Sequence, residues 1–151
     1  MTPHPDFETL ELPLSVTLGS YHLTVLTAAD VEEDFEAVTR SRSVLQGLFG
    51  PTWPDGLTLE NNLTDLHWHH REFTANRSFA WIIRDVAGTY LGCCYLFPTI
   101  GGRGAGEAAY WMTDTPKRHA HLAAFGPLYE EWMKGQFPPP YTLRFTNNAH
   151  F

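Results

Sequence analysis

Basic residues are scarce in this chain, and their scarcity removes one class of function. Ten lysines and arginines stand against 17 aspartates and glutamates, a formal net charge of -7. No broad basic face is available to grip nucleic acid through its phosphates. No apolar run approaches the ~20 residues that a membrane span needs. The opening Met1-Thr-Pro-His-Pro-Asp-Phe-Glu8 has neither the basic nor the apolar stretch of a secretory signal. A cytoplasmic protein without a nucleic-acid or membrane partner is expected. Only two cysteines occur, Cys93 and Cys94. As neighbours in a strand they point to opposite faces, so they neither bridge each other nor offer a paired thiolate site, and reduced thiols are expected. There is no Gly-x-Ser-x-Gly elbow. The Gly-rich string Gly101-Gly-Arg-Gly-Ala-Gly106 lacks the Lys-Ser/Thr ending of a phosphate loop and precedes a strand instead of a helix, so it reads as a connection between strands.

What is present is apolar and aromatic. Hydrophobic residues make up 43% of 151 residues, which suits one domain over 1–151 with a packed core. Residues 1–14 carry three prolines and read as an extended arm. The centre of the chain is Phe79-Ala-Trp-Ile-Ile-Arg84, the turn Asp85-Val-Ala-Gly88, and Thr89-Tyr-Leu-Gly-Cys-Cys-Tyr-Leu-Phe97. β-branched and aromatic residues crowd both runs, and Gly88 suits a tight turn, so a hairpin is predicted. Phe79, Trp81 and Ile83 point one way, and Ala80 and Ile82 the other. A sheet apolar on both faces must be covered on both. The fold class is therefore α+β: a central, mainly antiparallel twisted sheet with helices on both faces.

Around this hairpin the alternation over Ser15 to Leu18 and Tyr21 to Leu26 predicts strands. Thr27 with Asp30 forms a capping-box signal for a first helix burying Val31, Phe35 and Val38. A loop from Gly47 to Gly56 carries Phe49 and Trp53, as core anchors or as pocket walls. A second helix from Leu59 to about Ala75 has an inner stripe of Leu59, Leu63, Leu66, His70 and Phe73. Glu107 to Thr113 is a further strand. A third helix from Lys117 to about Lys134 has Leu122, Phe125, Leu128, Tyr129 and Trp132 on its apolar face, and Gly126-Pro127 should kink or split it. Tyr141 to Phe145 reads as a last short strand, with no later strand to pair with. An open edge invites another chain, so a homodimer is possible.

Two constellations bear on chemistry. His67 and His70 lie at i, i+3 on the second helix, but the i, i+4 partners of a helical zinc site are missing. No metal site is expected; His70 should pack inward while His67 and His69 face solvent. The start of the third helix, Thr115-Pro-Lys-Arg-His-Ala-His121, places Lys117, Arg118, His119 and His121 around free backbone N–H groups. Cations there oppose the helix dipole, a conflict that a bound anion reverses.

The element order and local motifs resemble the GNAT acetyltransferase superfamily, in particular a small bacterial GNAT-like subgroup. The residues carrying the resemblance are Phe49-Gly-Pro with Trp53-Pro54, Leu57-Thr-Leu-Glu60, Asp65-Leu-His-Trp-His69, Phe73, Ser78-Phe-Ala80, Leu91-Gly-Cys-Cys-Tyr-Leu-Phe-Pro98 and Ala109-Tyr-Trp-Met112. It spans about Tyr21 to Phe145 and implies a C-terminally shortened version of that fold. The resemblance implies acetyl-CoA as co-substrate, with the backbone of Tyr110, Trp111, Met112 and Thr113 pairing with the pantetheine arm. It implies that the helix start, Lys117, Arg118, His119, Ala120 and His121, receives the pyrophosphate, although His121 stands where glycine is expected. It implies transfer of an acetyl group to an amine of a small molecule or peptide, with Glu107 as the candidate base and Phe49, Trp53, Tyr95 and Trp111 lining the acceptor pocket. The alternatives are a non-catalytic GNAT-fold binding or interaction protein and a small-ligand pocket protein of unrelated α+β fold.

Overall fold

A computed structural model describes residues 1–151. Six strands form one sheet in sequence order: β1 (Ser15–Leu18), β2 (Tyr21–Val25), β3 (Phe79–Arg84), β4 (Tyr90–Pro98), β5 (Ala105–Met112) and β6 (Thr142–Asn147). All neighbours run antiparallel except β5 and β6, which are parallel. The β3–β4 hairpin lies in the middle, as its two apolar faces require. Phe79, Trp81 and Ile83 join Cys94, Leu122, Phe125 and Tyr129 in one core. Ala80 and Ile82 join Cys93, Ala37, Val38 and Leu66 in the other. The helices α1 (Val31–Arg40) and α2 (Leu59–Thr74) cover the second core, and α3 (Arg118–Lys134) covers the first. The two cysteines fall on opposite faces as free thiols. β1 and β6 are the sheet's two edges.

Three helical expectations are corrected. On α1 the buried residues are Asp34, Ala37 and Val38, and Phe35 is only half-buried. The helix is preceded by a turn at Ala28–Asp30 that the Thr27–Asp30 capping box closes, Thr27 N–H donating to Asp30 Oδ2 at 2.9 Å. On α2 the inner stripe is Asn62, Leu66, His69 and Phe73, while Leu59 is 46% and Leu63 36% exposed. This stripe keeps the 4-3-4 spacing and shares Leu66 and Phe73 with the expected one, but the helix is rotated to bring Asn62 inward. The reason is Asp34: a buried carboxylate must be paired, and Asn62 Nδ2 donates to its Oδ2 at 2.9 Å. The same rotation turns His70 to solvent and His69 to the interior, the reverse of the expectation. On the other face α3 runs unbroken through Pro127, and Leu128 is exposed. Gly126 serves packing here. A Cβ on it would lie 2.6 Å from the Tyr110 hydroxyl, which donates to Glu130 at 2.8 Å.

The N-terminal arm is a strap and not a loose extension. Phe7 is fully buried in the α3-side core. Asn76 Nδ2 donates to the Phe7 and Leu10 carbonyls at 3.1 and 2.8 Å. Trp81 Nε1 donates to the Pro13 carbonyl at 2.9 Å.

Candidate functional site

Between α1, α2, the aromatic loop and β4 lies a cavity of about 290 Å³. Aromatic rings of Phe49, Trp53, Trp68, Tyr95 and Phe97 line it, together with Asp34, Asn62, Asp65 and His69. Their placement follows from local patterning. Tyr95 and Phe97 are two apart on β4 and so face the same side, stacked at 5.5 Å. The Gly-Pro loop then lays Phe49 edge-on against Tyr95 at 5.0 Å, with Trp53 5.1 Å from Phe49. Three of the four expected pocket residues, Phe49, Trp53 and Tyr95, therefore form the wall. Trp111 does not line the cavity. It is fully buried behind the wall, and its indole N–H donates to the Tyr95 hydroxyl at 2.9 Å.

The polar side of the cavity has its own electrostatics. Asp34 Oδ1 accepts from the Tyr90 hydroxyl at 2.5 Å, and the Cys93 thiol lies 3.7 Å away. Burial holds the Asp34 carboxyl above its ordinary range despite these hydrogen bonds. Burial, with the charge of Asp34 beside it, also raises Asp65. Desolvation pushes the His69 imidazole down to about 4, so it is neutral at pH 7, and its Nδ1 is buried without a hydrogen-bond partner.

The sign of the linkage for Asp34 is set by the raised value. The folded state holds the proton more tightly than the unfolded chain, whose aspartates titrate near ~3.9. The contribution is full below about pH 4 and is lost as pH rises through the folded value. Asp34→Asn keeps the neutral form at all pH values. In urea titrations the difference in unfolding free energy between variant and wild type should therefore move in the variant's favour from pH 4 to pH 7. A constant difference would show that Asp34 is ionised in the folded protein as readily as in the unfolded one.

The remaining sequence-derived residues lie along β5 and the start of α3. Glu107 is on the cavity side of β5, since Ala109 and Trp111, its alternate neighbours, are in that core. It is paired with Arg144, whose Nε donates to Oε2 at 2.8 Å and whose Nη2 makes a second, short contact. The Thr146 hydroxyl donates to the same oxygen at 3.3 Å. Glu107 lines a neighbouring depression that shares Phe49 and Phe97 with the cavity. Tyr110 and Met112 turn their backbone groups toward β6, whereas Thr113 N–H bonds back to the Leu91 carbonyl at 2.7 Å. The Met112 groups are occupied: its N–H donates to Asn148 Oδ1 at 3.1 Å and its carbonyl accepts from Asn148 Nδ2 at 3.0 Å.

At the helix start Lys117 is exposed and Arg118 is buried. Arg118 Nη1 donates to the Asn148 carbonyl at 2.6 Å and Nη2 to the Phe151 carbonyl. His121 turns to the sheet, its Nδ1 3.0 Å from the Tyr21 hydroxyl. The amides of His119 and Ala120 carry no protein acceptor, as the first turn of a helix leaves them.

Sequence reasoning missed Asp34, Asn62, Asp65, Trp68, His69 and Asn148. A signal did exist on α2. Asp65 and His69 are i, i+4 and so share one face one turn apart, next to Asn62 and Leu66. Asp34 and Asn148 gave none, because their partners come from distant elements.

No protein-family model and no curated protein matches the sequence. Solved structures do. The chain is similar to RimL, a ribosomal L7/L12 α-N-protein acetyltransferase solved in complex with coenzyme A: TM-score 0.65, 12% identity, covering 87% of this chain and 72% of that one. It is similar to MccE, the microcin C7 self-immunity acetyltransferase solved with acetyl-CoA and AMP: TM-score 0.62, 10% identity, 89% and 72% covered. It is also similar to the ribosomal-protein-S5-alanine acetyltransferase of Vibrio fischeri: TM-score 0.59, 13% identity, 82% and 70% covered. An unrelated α+β fold is thereby set aside. At such identities the likeness is one of architecture, and the architecture of this chain, six-stranded sheet and flanking helices together, is the GNAT acetyltransferase fold.

Proposed function

We propose that the protein is an acetyl-CoA-dependent N-acetyltransferase whose acceptor is an amine of a small molecule or peptide seated in the aromatic cavity. The observation that carries this reading is the 2.9 Å hydrogen bond from Trp111 to Tyr95. It ties the cavity wall to the strand segment Tyr110–Met112, along which the thioester arm would lie in a GNAT fold. The free amides of His119 and Ala120 and the cation of Lys117 supply an anion site for the pyrophosphate. The amine nitrogen attacks the thioester carbonyl carbon, the C–S bond breaks, and sulfur leaves as the CoA thiolate. The amine proton passes to Glu107, or to a water that it holds. Arg144 and Thr146 fix that carboxylate in place, as a proton acceptor requires.

The arm can pair with Met112 only if the Asn148 carboxamide gives up the backbone groups that it occupies. That contact favours a second reading, a non-catalytic GNAT-fold binding protein, because it closes the slot with the chain's own side chain and commits Arg118 to the same segment. Titration with CoA and with acetyl-CoA, followed by thiol release with a panel of amines, separates the two. The transferase reading expects CoA binding, amine-dependent thiol release, and turnover at least ~100-fold lower in Glu107→Gln with unchanged CoA affinity. Absence of CoA binding would leave the non-catalytic reading.

A further inference from the structure

The charge pattern of the cavity names its ligand more narrowly than the fold does. No lysine or arginine lines it, and its only charged side chains are Asp34 and Asp65. Asp34 is committed to structure, each oxygen accepting a hydrogen bond from within the protein. Asp65 is different: it lines the same space and is exposed there, open to water or to a ligand. One turn further along α2, His69 presents a buried Nδ1 that has no partner. With the imidazole neutral and its proton on Nε2, Nδ1 is an acceptor. Asp65 is exposed at the cavity mouth and meets water there; the buried Nδ1 of His69 is the unmet acceptor, a deficit that buried groups seldom tolerate. The remaining wall is π-faces and edges, which attract cations and apolar bodies alike. A cavity of about 290 Å³ is at the small end for ligand sites.

We propose that Asp65 and His69 are the specificity-determining residues of this cavity and that they select a compact primary arylalkyl- or alkylammonium. Its nitrogen donates one hydrogen bond to the Asp65 carboxylate and one to His69 Nδ1, and its apolar body lies among Phe49, Trp53, Tyr95 and Phe97. This names the acceptor of the proposed transfer and rests on that reading only for the acetyl step, for which the ammonium first passes one proton to Asp65 or His69 and attacks as the free amine; the binding itself does not need CoA. A neutral isostere lacks the charge that Asp65 answers. An anion meets two carboxylates with no basic side chain in the cavity lining. A quaternary ammonium has no N–H for either acceptor.

The test is calorimetry of the whole chain at pH 7, without CoA, with four phenyl probes of similar size: 2-phenylethylamine, 2-phenylethanol, phenylacetate and phenyltrimethylammonium. The amine should bind at least ten-fold tighter than each of the others. Asp65→Asn should bring the amine-to-alcohol ratio down to within about three-fold of unity. His69→Phe, which keeps the ring packing, should weaken the amine and leave the alcohol unchanged. The inference is overturned if the alcohol or the carboxylate binds as well as the amine, if the ten-fold preference survives in Asp65→Asn, or if no probe binds to correctly folded protein. Selective amine binding by a protein that ignores CoA would keep the cation site and remove the transferase.

Discussion

Asn148→Ala should lower stability and raise affinity for CoA at the same time. The side chain is fully buried and satisfies three backbone groups: the Met112 N–H, the Met112 carbonyl and, at 3.2 Å, the Val44 carbonyl. Alanine leaves all three without partners in a dry site. A buried group stripped of its partner costs about 1–3 kcal/mol. Allowing for relaxation and water entry, a loss of about 3 kcal/mol is expected. For a chain of this size that is a fall of about 6–12 °C in Tm. In the transferase reading proposed above, a pantetheine arm pairs with the same two Met112 groups, so emptying the slot removes a competitor. CoA affinity should rise about ten-fold, equivalent to about 1.4 kcal/mol. Thermal unfolding and CoA titration of the two proteins read both effects. A lower Tm with no gain in CoA affinity would mean that Asn148 is a structural rung of the sheet and not a rival for the ligand.

Gly92→Ala should be more damaging still, and its effect should reach the cavity. A Cβ on Gly92 would lie 1.8 Å from the Trp111 carbonyl oxygen and 2.9 Å from its carbon. Both atoms are backbone, so no side-chain rotation relieves the clash. The register between β3 and β4 already shifts here, Ile83 facing Gly92 while Arg84 faces Tyr90, which leaves Leu91 as the extra residue of a bulge. The ladder between β4 and β5 must open around Trp111. That displaces the indole that holds Tyr95 in the cavity wall. Overpacking of side chains typically costs about 1–3 kcal/mol; against backbone, about 3 kcal/mol or more is expected. Urea midpoints and amine binding measured on the same samples check it. A variant within about 1 kcal/mol of wild type, with the cavity intact, would show that the two strands can separate locally without cost to the wall.

The parts of this protein that were legible in its sequence are those fixed by near neighbours. The β3–β4 hairpin followed from alternation and a turn glycine. Its burial on both faces followed from Phe79, Trp81 and Ile83 opposing Ala80 and Ile82, and the two cores divide along that line. The loop aromatics Phe49 and Trp53 were legible only as anchors or walls, and their role as walls beside Tyr95 of β4 rested on the family resemblance, because loop composition does not say which way a ring faces. The α2 stripe misled because two faces of that helix have the same apolar spacing. Leucine count favours Leu59 and Leu63, and only a partner on another helix decides otherwise.

By itself, then, the sequence determined the sheet, its two covers and the aromatic character of the cavity, since these depend on periodicity and composition within short windows. The tertiary structure alone decided the charges. Asp34 calls for a buried partner, and Asn62 meets it across 28 positions of sequence. That one contact sets the rotation of α2, which turns His69 inward and His70 outward and brings Asp65 to the cavity. The closing of Met112 by Asn148, across 36 positions, is of the same kind. Burying a polar group is unfavourable until a partner meets it, and the partner is chosen by packing in space, which no local pattern encodes.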